Sequence, residues 1–132
     1  MREILFRAKR DKKYCPTQKW TYGVPFIDHE GDCIFKTAAT ELVVDPKTVG
    51  QYTGLTDKNG TKIFEGDIVA GAVHWLERYK NGVVAFRDGS FGLIWHRGDI
   101  EQFNAFTSMC NVEYEVIGNV HDNHELLKGG AE

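Results

Sequence analysis

Apolar and polar residues alternate near both ends of the chain. Within residues 2–8 the apolar face carries Ile4, Phe6 and Ala8, and residues 113–120 repeat this alternation. A period of two is that of a β-strand, whose successive side chains point to opposite faces of a sheet. The pattern therefore predicts a strand near each end.

Shorter apolar runs fill the first third of the chain after a polar break over residues 9–19. Their order is a β-type run at 20–26, an acidic turn at 28–32, a short strand at 33–36 and a run at 42–44 that ends at Asp45-Pro46. Proline restrains the residue before it and so favours a turn at that point.

The most informative segment is residues 52–71, YTGLTDKNGTKIFEGDIVAG. Asp57 and Gly60 occupy the first and fourth positions of a type I turn, where glycine adopts a positive φ without cost. A two-residue Asn59-Gly60 turn of type I′ is the alternative, and either turn closes a hairpin. The segment predicts a tight β-hairpin that leads into another strand.

A second turn is predicted at Asp88-Gly89-Ser90, between apolar runs at 83–87 and 91–95. In the second run Phe91, Leu93 and Trp95 share a face, which gives this hairpin a large aromatic side.

Residues 97–112 have no clear period. The segment 99–103 is interpreted either as the start of a helix capped by Asp99 or as a loop. The tail at 123–130 begins with asparagine and ends with glycine, which predicts one or two helical turns. With no internal repeat or linker, the expectation is a single domain over residues 1–132.

Composition favours strands and turns. The 132 residues include 14 glycines and 16 Phe, Tyr and Trp residues, with 42% hydrophobic and 27% charged residues overall. These proportions are those of an ordinary globular domain, and the glycine and aromatic content raises the prior for β structure. The predicted fold class is mostly β.

Charge and cysteine content restrict the environment and the partners. The formal net charge is −3 and the isoelectric point about 5.9, so no global basic field attracts nucleic acid, although a local basic patch is compatible with these values. No apolar run approaches the roughly 20 residues of a spanning helix, and the alternation of charged and apolar residues in MREILFRAKR is not the pattern expected of a signal peptide. Three widely spaced cysteines without a CxxC pair suit free thiols, so the expected location is the cytoplasm.

Two spaced pairs are candidates for metal binding, His29 with Cys33 and His121 with His124, and Cys15 or Cys110 could join either pair. Structural zinc usually shows two closely spaced ligand pairs, and the chain lacks such a double pair. The favoured interpretation places Cys33 and Cys110 in the core and the histidines at the surface or at strand ends. The Asp57-x-Asn59 spacing resembles a calcium loop, but Lys62 and Ile68 stand where that loop needs Gly and Glu.

Catalytic chemistry has little support in the sequence. The serines are Ser90, in a predicted turn, and Ser108, and the residues around Ser90 lack the spacing of a nucleophile elbow. Cys33 near His29 lacks an orienting third group. Glu113 and Glu115 alternate with apolar residues and are interpreted as a solvated strand face. The expectation is a protein that is not an enzyme, with no catalytic residues, no metal and no cofactor.

Five separated segments resemble the YopX-like family of bacteriophage and prophage proteins. They are MREILFRA at 1–8, TVGQYTG at 48–54, the hairpin at 52–69, DGSFGL at 88–93 and EVIGNVHDN at 115–123. The chain departs from the family at His124, where proline is frequent. The resemblance implies a mostly-β fold whose centre is a small Src-homology-3-like barrel, with additional hairpins and a short C-terminal helix. It implies no established activity and no functional residues.

Two binding hypotheses follow. The leading one is a regulatory module that binds itself or a phage or host protein, because hairpins present strand edges to partners. The alternative is a small β-barrel that binds single-stranded nucleic acid through aromatic and basic side chains. The candidate surface for the alternative comprises Trp75, Arg78, Tyr79, Arg87, Trp95 and Arg97, near Lys80 and His96. No membrane partner is expected.

Overall fold

A computed structural model of the chain describes residues 3–70, 81–106 and 114–129. Strands account for 55% of the structure and helices for 7%, arranged as two antiparallel sheets and one short α-helix, which confirms the mostly-β prediction. No closed barrel is found in these ranges, so the Src-homology-3-like arrangement is not confirmed.

The elements follow one another closely along the chain. The strands are β1 (Phe6–Lys9), β2 (Trp20–Ile27), β3 (Cys33–Lys36), β4 (Glu41–Val43), β5 (Gly50–Thr56), β6 (Lys62–Phe64), β7 (Asp67–Ala70), β8 (Gly82–Arg87), β9 (Ser90–Arg97), β10 (Ile100–Ala105) and β11 (Glu115–Asn119). A 3-10 turn spans Pro46–Thr48 and helix α1 spans Glu125–Gly129. None of the helices in the described ranges has the length and apolar character needed to cross a membrane.

The chain divides into two compact units, Met1–Gly54 and Leu55–Glu132. In the first unit the antiparallel strands have the order β4-β3-β2-β1-β5. Ala8, Phe35 and Val44 are almost wholly buried on one face of this sheet together with Cys33, whose core position confirms the prediction for that thiol. The single domain expected from the sequence stays a prediction.

Strand β5 continues into the second unit, where its end pairs with β6 through the turn at Asp57–Gly60. The Gly60 N–H donates to the Asp57 carbonyl (3.0 Å) and the Asp57 N–H donates to the Thr61 carbonyl (2.8 Å). Gly60 has φ +84°, whereas Asn59 is not among the residues with positive φ. The turn is therefore type I, and the predicted hairpin is confirmed while its type I′ alternative is not.

The second unit is built on a five-stranded antiparallel sheet with the order β10-β9-β8-β7-β11. Its core contains Ile63, Val69, Val84, Leu93, Trp95 and Tyr114. Strands β8 and β9 meet at Asp88-Gly89, where both residues have positive φ (+51° and +81°), the requirement of a type I′ turn. The second predicted hairpin is confirmed.

The prediction of a helix or loop at 99–103 is wrong, because this segment lies in strand β10. Ile100 pairs with Arg97, and the pairing runs without interruption to Ala105 opposite Gly92. The two strands are joined by Gly98-Asp99, and Gly98 has φ +63°, which suits the first central position of a two-residue hairpin turn. A third hairpin therefore replaces the predicted helix or loop.

Candidate binding surface

The structure describes only some of the six residues of the predicted nucleic-acid surface. Trp75, Arg78 and Tyr79 lie outside the described residues, and of Arg97 only the backbone at the end of β9 is described. The other two are Arg87 on β8 and Trp95 on β9. The predicted surface as a whole stays a prediction.

Arg87 and Trp95 lie on opposite faces of the five-stranded sheet. Arg87 pairs with Ser90, so it shares a face with Gly92 and Ile94, whereas Trp95 alternates to the other face. Trp95 is only 7% exposed in the core, and its Nε1–H donates to Asn104 Oδ1 (2.6 Å). Its ring is therefore a packing element of the second unit.

Arg87 belongs to a polar group on the solvent-facing side of the β9–β10 hairpin. Its Nη1 donates to Glu101 Oε2 (2.7 Å), and its Cζ lies 5.9 Å from the centre of the Phe103 ring. The Nε2 atom of His96 lies 3.9 Å from Glu101 Oε1. The hydrogen bond and the positive charge of Arg87 lower the pKa of the Glu101 carboxyl. These exposed charges contribute little to stability but mark one face of β10 as polar.

Phe103 lies over Gly92 on this same face. A Cβ at Gly92 would stand 2.7 Å from Phe103 Cζ and 2.8 Å from the Ala105 Cα, so only glycine permits this approach. The glycine thus lets β9 and β10 pack closely.

Among the strands that the structure describes, β10 is the longest one at the end of a sheet. In the described ranges the other end strands are β4 and β6, with three residues each, and β11, with five residues and a register shift between Val116 and Gly118. Natural edge strands are usually protected by shortness, bulges, proline or charged side chains, lysine above all, and Glu101 is the one charged residue of β10. Strand β10 has the sequence IEQFNA, a continuous register and neither Lys nor Pro. It therefore lacks most of these protections.

The backbone of Glu101 and Phe103 points away from β9. In an antiparallel hairpin with a two-residue turn the closing pair exchanges hydrogen bonds, and here that pair is Arg97 and Ile100. Alternate residues after Ile100 bond to β9, so the N–H and C=O groups of Glu101 and Phe103 face outward. Ile100, at the start of this edge, is 62% exposed. The sequence signal was the Gly98-Asp99 pair between two apolar runs, which is a hairpin pattern.

Asp57 has a structural role. Its Oδ1 accepts from the N–H groups of Asn59 (2.8 Å) and Thr61 (2.9 Å), and its Oδ2 accepts from the Val116 N–H (2.9 Å). Burial acts to raise the pKa of this carboxyl, but the three N–H donors and nearby Lys58 together hold it below its ordinary value. The carboxylate joins the hairpin turn to β11, as expected of a residue that organises backbone.

Other groups weighed from the sequence take ordinary positions. Cys33 is buried, which raises the pKa of its thiol, and His29 is exposed beside Glu30. Tyr114 is buried against Phe106, and burial raises its pKa to about 12. Across the ranges that the structure describes, no three His, Cys, Asp or Glu side chains are grouped to hold a metal ion. Cys110 and Ser108 lie outside those ranges.

The chain is similar to one protein family and to a solved structure. A family model described as YopX protein matches residues 5–128. The crystal structure of protein EF1440 from Enterococcus faecalis is similar, with a TM-score of 0.58 and 26% sequence identity over 96% of this chain and 99% of that one. No curated protein matches the chain.

Proposed function

Because the chain belongs to the YopX protein family, we propose that it is a non-enzymatic, phage- or prophage-encoded regulatory protein that assembles with itself by strand pairing at β10. The observation that carries this proposal is an edge strand of six residues without lysine, proline or bulge. The family resemblance supports a phage or prophage origin, action in the bacterial cytoplasm, and a small barrel around the five-stranded sheet.

The edge of β10 can pair with the β10 edge of a second copy of the chain. If two copies pair antiparallel with Gln102 at the centre, Glu101 of each copy would lie opposite Phe103 of the other. The outward N–H and C=O groups of these residues would then exchange hydrogen bonds, and no two carboxylates would stand opposite each other. The contact is small, so the association is expected to be weak and dependent on concentration.

Glu101→Pro tests the proposal directly. We expect the wild-type mass to increase with concentration in sedimentation equilibrium, and the Glu101→Pro variant to stay monomeric over the same range. Proline removes the outward N–H and blocks strand addition, whereas it costs no hydrogen bond to β9.

Glu101→Ala is the matched control. It removes the same carboxylate and the same ion pair with Arg87 but keeps the N–H, so it should associate like the wild type. Circular dichroism should show all three proteins folded. A wild-type chain that is monomeric at high concentration, or a Glu101→Pro variant that still associates, would contradict self-assembly at β10. If the β10 edge binds a different protein and not its own copy, the wild-type chain would be monomeric at high concentration.

A further inference from the structure

The first unit presents an aromatic strand face opposite its core. Strand β2 alternates so that Trp20, Tyr22, Val24 and Phe26 share a face, while the residues between them lie on the side of Ala8 and Phe35. The pairings Arg7 with Tyr22 and Lys9 with Trp20 place two cations on the aromatic face. Lys36 lies opposite Val24 on the same face, where its neighbour on β4 is the acidic Glu41, so the excess of positive charge is confined to the end at Trp20.

This face is open to solvent along most of β2. Tyr22 is 51% exposed, Val24 52% and Phe26 40%, at successive alternate positions of one strand. Single exposed apolar residues are normal at a protein surface, whereas a contiguous exposed apolar patch is typical of an interaction surface.

Cations hold the aromatic ring at one end of the row. Arg7 Cζ lies 4.8 Å and Lys9 Nζ 5.7 Å from the centre of the Trp20 ring. Arg7 is 9% exposed, so its contact with Trp20 is largely protected from water. The indole is therefore held beside fixed positive charges.

The charge of the whole chain conceals a difference between the units. Residues 1–54 contain nine Lys and Arg against seven Asp and Glu, a net charge of +2, and residues 55–132 contain seven against twelve, a net charge of −5. Seven of the nine cations lie within the first 20 residues, together with only two acids. The acidic turn with Asp28, Glu30 and Asp32 follows β2 at its other end, so the positive end of the row is the one at Trp20.

We infer that the face formed by Trp20, Tyr22, Val24 and Phe26 binds single-stranded nucleic acid. Bases stack on exposed aromatic rings and phosphates are attracted by nearby positive charge. Tyr22 and Phe26 supply the exposed rings, and the excess of Lys and Arg within the first 20 residues supplies the positive charge. Alternate residues on a strand are about 6.7 Å apart, roughly twice the rise per base in one strand of B-DNA, so each ring suits a base of an extended, unstacked strand. A duplex hides these base faces. This inference goes beyond the proposed function, which concerns β10.

Fluorescence anisotropy with labelled oligodeoxythymidine and oligouridine of about 12 nucleotides tests the inference. The Glu101→Pro background is used, so that self-assembly neither creates nor hides binding. We expect binding at about 50 mM salt that weakens steeply towards about 200 mM. Tyr22→Ala and Phe26→Ala should each weaken binding roughly 5- to 100-fold, because each removes one stacking platform. The two oligonucleotides show whether the sugar matters.

Phe86→Ala is the matched control, since Phe86 is 53% exposed but lies in the second unit. It should leave affinity unchanged. No binding of either oligonucleotide at low salt, or equal affinity in the Tyr22→Ala, Phe26→Ala double variant, would overturn the inference. Association of the Glu101→Pro protein that is lost on Tyr22→Ala would assign the face to a second copy and would also overturn it.

Discussion

Asp57→Ala is expected to lower the free energy of unfolding by about 3–4 kcal/mol, because three backbone N–H groups lose a charged acceptor at once. Two of these donors, Asn59 and Thr61, shape the hairpin turn, and the third, Val116, lies 59 residues later in β11. Urea unfolding monitored by circular dichroism measures the change. The loss is large because a local turn and a distant strand depend on the same side chain.

Asp57→Asn separates charge from geometry. The amide oxygen still accepts from Asn59 and Thr61, but the amide N–H₂ group faces the Val116 N–H and leaves it without an acceptor. We expect about half the loss seen for alanine. Asp88→Asn is the control, since Asp88 is exposed in a turn with positive φ, which asparagine tolerates. Equal stability of Asp57→Ala and wild type would contradict the structural role.

The pH dependence has a defined sign. The pKa of Asp57 is lowered in the folded chain, so its contribution to stability is present above the unfolded pKa of about 3.9 and is lost as the pH falls through the folded value. The stability of the wild type should therefore fall below about pH 4, and that of Asp57→Asn should fall less steeply. If the free energy of unfolding falls with pH equally steeply in the wild type and in Asp57→Asn, other carboxyl groups control the acid transition.

Gly92→Ala is expected to destabilise the second unit by about 3 kcal/mol. The added Cβ would meet the Asn104 carbonyl oxygen, the Phe103 ring and the Ala105 Cα. Two of these three obstacles are backbone of β10, which cannot rotate away, so the β9–β10 pairing must open. Thermal unfolding measures the loss, and amide exchange at Gln102 and Asn104 should show that it is local to β10.

Gly98→Ala is the contrasting control in the same hairpin. Gly98 has φ +63° but nothing within 4 Å of an added Cβ, so alanine there costs only the left-handed backbone, about 1–2 kcal/mol. A Gly92→Ala effect no larger than that of Gly98→Ala would mean that β10 moves aside without cost.

Much of the fold follows from local chemistry. Asp57 with Gly60, and Asp88 with Gly89, place turns where the structure has them, since these residues accept the backbone angles that the turns require. The predicted short strand at 33–36 coincides with β3, and the tail contains α1. These features depend on neighbours within a few residues, which the sequence displays directly.

Strand β10 was missed for a physical reason. Ile100 and Phe103 are three apart, a helical spacing, and Asp99 is a good helix cap. Those preferences are weak, and hydrogen bonding along β9 overrides them once Gly98 turns the chain back. Residues 97–105 therefore carry two competing local signals, a helix cap at Asp99 and a hairpin turn at Gly98-Asp99, and pairing with β9 decides between them.

Which side chains share a face follows from their order along the chain, because alternation along a strand is a property of the backbone. Alternation alone does not distinguish two sets of side chains that each share a strand face: Phe91, Leu93 and Trp95 form one set, and Trp20, Tyr22 and Phe26 form the other. The folded chain nevertheless buries Leu93 and Trp95 and leaves Tyr22 and Phe26 exposed. The reason is that burial depends on what packs against a face, and those residues come from other strands far along the chain.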